Sequence, residues 1–279
     1  MIQKSYDNKP SLYLIPTPIG NLEDITLRAL NILKFVDVIL CEDTRTTGVL
    51  LKHYDIKKRL ISCHEYNEDK MVSVVEKLLE EGKQIGLVTD QGTPIISDPG
   101  YIMTRNLIKK GYNVIGLPGA TAFVPALISS GIEPSPFLFY GFLNAKNNKQ
   151  REELDRLKSY PFTIIFYESV HRLEKTLSNI LDVFGNREIS LHREISKIHE
   201  EVCRGKIKDI LPLVNSFKGE FVIIVEGNKE IISFNNLSIQ EHVKMYIDEL
   251  SEMDAIKKVA KERGVSKSVI YNEYHKTKK

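Results

Sequence analysis

The chain has 279 residues, of which 42% are hydrophobic and 27% charged, a balance typical of globular proteins. Its net charge of +2 is too small to mark the whole molecule as a nucleic-acid binder. The cysteines are scattered without zinc-ligand spacing, so we expect reduced thiols, no metal site and a soluble, cytoplasmic protein. A polar N-terminus and strand-sized apolar runs predict neither a signal peptide nor a membrane span.

Strand-like apolar segments alternate with helical patterns through the first half of the chain. The predicted strands are 12–15, 36–40, 60–63, 85–88 and 114–117. The predicted helices are 27–35, 46–53, 67–82, 102–110 and 120–130. This alternation favours a mostly parallel sheet covered by helices. We therefore predict an N-terminal α/β domain over residues 1–131.

Pro134 and Pro136 lie close together and disfavour both helix and central strand, so they indicate a domain boundary. The strands predicted after them are 137–142, 162–167, 188–191 and 220–225. The helices predicted between them are 150–158, 170–184 and 206–213. The simplest interpretation is a second, smaller α/β domain over residues 132–231.

The last segment, residues 232–279, has a different character. Helical patterns at 239–250 and 254–263 are followed by Gly264 and by Ser266, a good helix N-cap, which together outline a helix-turn-helix. The basic residues of this tail are Lys257, Lys258, Lys261, Arg263, Lys267, Lys276, Lys278 and Lys279. The tail is therefore either a solvated helical bundle or an electrostatic contact for nucleic-acid phosphates.

Loops rich in Gly, Pro and polar residues follow the strands of both predicted domains. They are residues 16–24, 41–45, 90–101, 116–122, 167–172 and 193–197. The loop 90–101 is neither a dinucleotide-binding fingerprint nor a phosphate-binding P-loop. Singly, each loop has a simpler explanation, such as a tight turn, a helix cap or an Asp43–Arg45 surface pair. Because open sheets bind ligands at the carboxyl ends of their strands, the set predicts a ligand cleft between two α/β domains.

Taken in chain order, these segments resemble the 16S ribosomal RNA (cytidine-2′-O)-methyltransferase family, within the tetrapyrrole-methylase superfamily. The resemblance covers nearly the whole chain, and the final helix-turn-helix looks like that family's C-terminal extension. It implies a tetrapyrrole-methylase-like fold with S-adenosylmethionine in the cleft between two α/β domains, and a homodimer. The implied target is the ribose 2′-hydroxyl of a cytidine in the decoding region of the small ribosomal subunit, with no membrane partner.

The resemblance also implies particular cofactor contacts. They are Pro18, Gly20, Gln91, Gly92, Thr93, Ile96, Thr121, Ala122, Tyr167 (or Glu168) and Ile195. This chain departs from the tetrapyrrole branch at Thr93 and at Asn21, where that branch usually has acids. The departures argue against a tetrapyrrole substrate, and they put Thr93 or Ser97 where a carboxylate would otherwise act.

A ribose hydroxyl is a poor nucleophile, so methyl transfer to it would benefit from a general base. The candidates are Glu168, Asp43 and His171, in that order, although acids at strand ends could equally orient the substrate. The candidate phosphate contacts are Arg45, Arg172 and Lys197. Two other functions stay open: a tetrapyrrole (precorrin or uroporphyrinogen) C-methyltransferase, and a non-catalytic RNA-binding assembly factor.

Overall fold

The computed structural model describes residues 2–5, 7–229, 237–247 and 250–276. The chain divides into two compact units, residues 1–228 and residues 229–279. Within the described ranges, no helix is long and apolar enough to cross a membrane. The same ranges contain no cluster of three or more His, Cys, Asp or Glu side chains able to hold a metal ion.

The first sheet is entirely parallel and has the strand order β3-β2-β4-β1-β5. Its strands are β1 Ser11–Leu14, β2 Val38–Cys41, β3 Arg59–Ser62, β4 Ile85–Leu87 and β5 Asn113–Gly116. The central strands are apolar because helices cover both faces of the sheet, with Ile39 in the core of one face and Leu40 in the core of the other. The predicted parallel sheet is confirmed, and its predicted strand ends differ by one or two residues.

Five helices accompany this sheet: α1 Leu27–Phe35, α2 Thr44–His53, α3 Glu68–Glu80, α4 Tyr101–Lys109 and α5 Phe123–Ser129. Local sequence explains where several begin and end. The Thr26 side chain accepts a hydrogen bond from the Ala29 amide at the start of α1, and the Asp43 side chain accepts one from the Arg45 amide at the start of α2. Shortly after α3, Gly82 has a φ of 83°, a left-handed conformation that suits glycine.

The second sheet is mixed, with the order β6-β7-β10-β8-β9. Its strands are β6 Phe137–Phe142, β7 Thr163–Ser169, β8 Glu188–Arg193, β9 Glu201–Lys206 and β10 Glu220–Val225. Only β6 and β7 pair in parallel; the other pairs are antiparallel. The helices are α6 Asn147–Leu157, α7 Val170–Phe184 and the short α8 Ile207–Ile210, which runs into a 3₁₀ helix at Leu211–Ser216. The edge strand β9 was not predicted.

The two sheets belong to the same compact unit. One face of the second sheet packs against its own helices, whereas Ala126 and Leu127 of α5 belong to the core of the opposite face with Ile165 and Val222. The predicted two-sheet α/β architecture is confirmed. The proposed boundary after residue 131 falls in the connection between α5 and β6 and stays a prediction.

Within its described residues, the C-terminal unit contains three helices, α9 Ile239–Ile247, α10 Glu252–Glu262 and α11 Lys267–Lys276. Their shared core includes Val243, Ile256, Val259, Ile270 and Tyr274. The turn between α10 and α11 contains Gly264 with a φ of 64°, so the predicted helix, glycine turn and helix are all present. The predicted boundary after residue 231 lies outside the described residues, as do Lys278 and Lys279.

Candidate active site

A cavity of about 430 Å³ opens between the two sheets, a size suited to a small organic ligand. Loops that follow β1, β4 and β5 form one wall, because these strands are neighbours in a parallel sheet and their carboxyl ends meet at one edge. That wall consists of Ile19, Asp90, Gln91, Gly92, Thr93, Ile96, Ser97, Asp98, Thr121 and Ala122. The second sheet provides Phe142, Tyr167, Glu168, Ser169, Glu194, Ile195, Lys197, Glu220, Phe221 and Val222.

Hydrogen bonds hold the three loops of the first wall together. The Thr17 amide donates to the Gly92 carbonyl at 2.8 Å, and the Gly92 amide donates to the Thr17 carbonyl at 3.1 Å. The Thr93 hydroxyl donates to the Ala120 carbonyl at 2.9 Å. Gly92 has a φ of 83°, so glycine avoids the strain that a side chain would create there. The wall therefore presents ordered backbone to the cavity.

The second wall contacts the first directly. The Phe123 amide donates to the Tyr167 hydroxyl at 3.2 Å, and the Ser196 hydroxyl donates to the Asp24 carboxylate. A Cβ at Gly20 would lie 2.4 Å from the Lys197 Cγ, so glycine is needed for this approach. These contacts fix the width of the cavity.

Four non-glycine residues near the cavity have a left-handed backbone. Ile95 and Ser97, in the loop after β4, have φ values of 77° and 67°. Glu194 and Ser196, in the loop after β8, have φ values of 51° and 68°. Such conformations cost about 1–3 kcal/mol each and persist where surrounding structure enforces them, often at ligand sites. The strain lies in both walls of the same cavity.

Eight of the ten predicted cofactor contacts line this cavity: Gln91, Gly92, Thr93, Ile96, Thr121, Ala122, Tyr167 and Ile195. Pro18 and Gly20 do not, although their neighbour Ile19 does. Gly20 instead lies against the loop after β8. The structure thus assembles most of the predicted set from loops far apart in the chain; their roles as cofactor contacts stay predictions.

Glu168, the first candidate base, lines the cavity but is already extensively bonded. Its carboxylate accepts hydrogen bonds from the Ser169 amide at 2.8 Å and from the Thr176 hydroxyl at 2.6 Å. The Arg172 Nε lies 3.3 Å from the same carboxylate. Because the residue is only 2% exposed, this arrangement favours an anchor for the start of α7 over a proton acceptor.

The other two candidate bases, Asp43 and His171, lie outside the cavity lining. Asp43 caps α2 and forms a forked pair with Arg45, whose Nη2 lies 2.6 Å from the Asp43 Oδ2. Hydrogen bonds from Arg45 hold the pKa of Asp43 at about 2, which makes it a weak base near neutral pH. The geometry therefore brings neither residue to the cavity.

The predicted phosphate contacts are also dispersed. Arg45 is highly exposed and lies outside the lining, and Arg172 donates to the Leu143 carbonyl at 2.5 Å besides facing Glu168. Lys197 does line the cavity, where its Nζ lies 3.0 Å from Glu194 and 2.9 Å from Glu220. Burial alone would lower the pKa of Lys197, but its two carboxylate partners outweigh burial and raise that pKa. Its charge is balanced within the protein.

Two carboxylates of the first wall, Asp90 and Asp98, were not among the predicted site residues. Asp98 accepts a hydrogen bond from the Thr89 hydroxyl at 2.9 Å. Burial raises the pKa of Asp98 to about 6; the Thr89 hydrogen bond lowers it, and repulsion from Glu42 and Asp90 raises it further. In the sequence, Asp98 is visible only as an acid within the segment Ser97–Gly100. That segment does not show that Asp98 is partly buried beside other acids.

The comparisons with known proteins agree with this architecture. The family model of tetrapyrrole (corrin/porphyrin) methylases matches residues 11–211, which include both sheets except β10. The chain belongs to this family. It is 44% identical to ribosomal RNA small subunit methyltransferase I of Bacillus subtilis and 46% identical to that of Halalkalibacterium halodurans, and each match covers 98% of both chains. The protein of the same name from Escherichia coli O157:H7 is 43% identical over 81% of both chains.

Solved structures of this methylase family share the fold at low sequence identity. Cobalt precorrin-4 methyltransferase has a TM-score of 0.58 at 18% identity, covering 81% of this chain and 98% of its own. Uroporphyrin-III C-methyltransferase of Thermus thermophilus, crystallised with S-adenosylhomocysteine, has a TM-score of 0.57 at 17% identity, covering 77% of this chain and 97% of its own. These structures show the shared fold, and the family match together with the relatives above 40% identity identifies the chain as an S-adenosylmethionine-dependent methyltransferase.

The cavity residues suit this methyl donor. Ile19, Ile96, Ala122 and Ile195 offer apolar surface for a purine ring, and Gly92 lets the ligand approach the backbone closely. Carboxylates in the lining complement a sulfonium cation. The walls therefore combine apolar surface with polar and charged groups, so they can both hold a ring and fix its orientation.

Proposed function

We propose that this methyltransferase transfers a methyl group from S-adenosylmethionine to the ribose 2′-hydroxyl of a cytidine in the decoding region of 16S ribosomal RNA. The observation that carries the proposal is the extent of the match. The relatives named ribosomal RNA small subunit methyltransferase I align over 98% of the chain, whereas the general methylase model stops at residue 211. The chain therefore shares with these relatives a segment that lies beyond the residues covered by the family model.

The end of that segment is basic, which supports an RNA substrate. Residues 257–279 contain eight Lys or Arg and two Asp or Glu, a surplus of six positive charges, although the whole chain carries only +2. Lys257, Lys258, Lys261 and Lys267 are exposed in the C-terminal unit. Counterion release from a phosphate backbone would make such a surface a salt-sensitive RNA contact.

The cavity itself is unsuited to phosphate binding. The lining contains Asp90, Asp98, Glu168, Glu194 and Glu220, and its single lysine is already paired with two of these carboxylates. A polyanionic backbone is repelled from such a surface, whereas a sulfonium cofactor and an uncharged hydroxyl are not. We therefore propose that the nucleotide's ribose reaches the cavity mouth while its phosphates remain outside.

S-adenosylmethionine supplies an already activated methyl group. The protein therefore contributes mainly the positioning of the reactants and a group that accepts the hydroxyl proton. Hydrogen bonds at Thr17, Gly92 and Thr93 join the loops of the first wall, and the bond from the Phe123 amide to the Tyr167 hydroxyl joins that wall to the second.

We also propose that the protein works as a homodimer in the cytoplasm on the small ribosomal subunit. Light scattering of the purified protein measures whether it is a homodimer.

The test is transfer of a radiolabelled methyl group to isolated small ribosomal subunits and to RNA extracted from them. We expect label in 16S RNA at a cytidine ribose, identified by nuclease digestion and mass spectrometry. Uroporphyrinogen and precorrin are offered in parallel, and label in either would favour the tetrapyrrole alternative. Tight binding of S-adenosylhomocysteine without transfer to any substrate would favour a non-catalytic assembly factor.

A further inference from the structure

Among the carboxylates of the cavity, Asp98 has an unusual environment. Glu168 is held by two hydrogen-bond donors and faces Arg172, while Glu194 and Glu220 share the ammonium of Lys197. By contrast, neither Asp98 nor Asp90 forms an ion pair within the described ranges, and Asp90 accepts a hydrogen bond from the Asp43 amide at 3.2 Å. The hydrogen bond that is seen at Asp98, from the Thr89 hydroxyl, goes to the Asp98 Oδ1.

The position of Asp98 also suits a proton acceptor. It lies in the strained segment that follows β4, next to Ser97 with its left-handed backbone, and it is half-buried in the cavity wall. Tyr167, on the opposite wall, is close enough for the Asp98 charge to contribute to the raised pKa of the phenol, whose main cause is burial. The carboxylate therefore belongs to the space between the two walls.

We propose that the Asp98 carboxylate is the general base that accepts the proton of the substrate ribose hydroxyl, an inference that rests on the proposed function. The hydroxyl oxygen forms a bond to the methyl carbon as the carbon–sulfur bond breaks. The electron pair of that bond goes to sulfur, which leaves neutral S-adenosylhomocysteine. The hydroxyl proton goes to Asp98 and is later released to water, so atoms and charge balance.

The groups around Asp98 predict a particular pH dependence. Burial is the main cause of the raised pKa of Asp98; the Thr89 hydroxyl lowers that pKa, and repulsion from Glu42 and Asp90 raises it further. Tyr167 faces Asp98 from the second sheet. A base with a pKa of about 6 is ionised at neutral pH yet still basic enough to take a proton. Single-turnover rates on small subunits should therefore rise about tenfold per pH unit below pH 6 and level off above it.

Three substitutions test this assignment between pH 5 and 9. Asp98→Asn should lower the single-turnover rate about 10²- to 10⁴-fold. It should also remove the acid limb of the pH profile, which is the fall in rate below pH 6. Asp90→Asn removes a repulsive charge and should shift the limb to lower pH, whereas Thr89→Val removes a hydrogen bond and should shift it to higher pH. The affinity for S-adenosylhomocysteine, which lacks the sulfonium charge, should change less than about threefold in Asp98→Asn.

The controls separate this inference from the function on which it rests. Asp155→Asn, at an exposed position on α6, should leave both the single-turnover rate and the acid limb of the pH profile unchanged. If the wild-type protein labels 16S RNA but Asp98→Asn retains its rate within threefold, the proposed function stands and Asp98 is not the base. An unshifted limb in both Asp90→Asn and Thr89→Val would also overturn the assignment. Absence of label with the wild-type protein would overturn the proposed function and this inference together.

Discussion

Glu168→Gln probes the carboxylate that the sequence singled out as the first candidate base. In the structure this side chain is 2% exposed and receives hydrogen bonds from the Ser169 amide and the Thr176 hydroxyl, with Arg172 nearby. A glutamine amide offers one acceptor oxygen in place of two and carries no charge. One of the two donors therefore loses its partner, and the guanidinium loses its counterion.

The expected loss of stability follows from these contacts. A hydrogen bond to a charged group contributes about 1.5–3 kcal/mol, and solvent at the partly exposed Arg172 screens much of the ion pair. We expect Glu168→Gln to lower the free energy of unfolding by roughly 2–4 kcal/mol. By the usual conversion for large domains, that corresponds to a fall of about 4–16 °C in melting temperature.

The assay combines chemical denaturation with single-turnover methyl transfer. Glu174→Gln, at an exposed position on the same helix, is the matched control and should change the unfolding free energy by less than about 0.5 kcal/mol. Turnover on RNA should fall in Glu168→Gln while affinity for S-adenosylhomocysteine is spared. An unfolding free energy equal to that of the wild type, together with a rate loss above about 100-fold, would refute the anchoring role and restore Glu168 as the base.

A double-mutant cycle with Thr176→Val sharpens this prediction. The Thr176 hydroxyl donates to Glu168 and accepts from the Gln150 amide at 3.1 Å, so it links the cavity wall to the interface of α6 and α7. If the two side chains act as one buried network, their destabilising effects should fall short of additivity by about 0.5–3 kcal/mol. Additive effects would show that the contacts are energetically independent.

Three further predictions concern the loop, the tail and the pH dependence of stability. Gly92→Ala places a side chain on a residue with a left-handed backbone, at a penalty of about 1–2 kcal/mol. Calorimetry should therefore find the affinity for S-adenosylhomocysteine about tenfold weaker in this variant. The control Gly48→Ala, within a helix, should leave that affinity unchanged. Replacing Lys261 and Lys267 by Gln should reduce the salt slope of RNA binding by about two if each contacts a phosphate; an unchanged slope in filter-binding titrations would exclude them. The pKa of Asp98 is about 6 in the folded protein, above its ordinary value of 3.8, so ionisation of Asp98 destabilises the fold as pH rises through this interval. At pH 8, Asp98→Asn should therefore have a free energy of unfolding in urea roughly 1–2 kcal/mol above that of the wild type, after allowance for the partial exposure of Asp98. At pH 4 the substitution should bring no such gain.

Much of the architecture followed from local pattern. The central strands of the first sheet are buried on both faces, so they read as short apolar runs such as Val38–Cys41, bounded by turn residues. Strand β9 escaped prediction because Glu201–Lys206 is a sheet edge whose side chains are largely polar and incompletely buried. Its pairing depends on the neighbouring β8, which lies across a loop rather than within the local sequence window.

The amino-acid sequence alone determined the alternation of strands and helices, the polar loops at strand ends and the basic helical tail, because these depend on periodicity and composition within short windows. It also determined the family resemblance, through the order of those loops. Only the tertiary structure decided which loop side chains share a cavity and what each one faces. Glu168 and Asp98 are both acids in loop-like motifs, yet one is surrounded by donors and the other by acids. Asp98 is perturbed by Glu42, which is distant in the chain and lies in the loop after β2. The groups that bond Glu168 are close to it in sequence, and the turn into α7 brings the Thr176 hydroxyl within reach of its carboxylate.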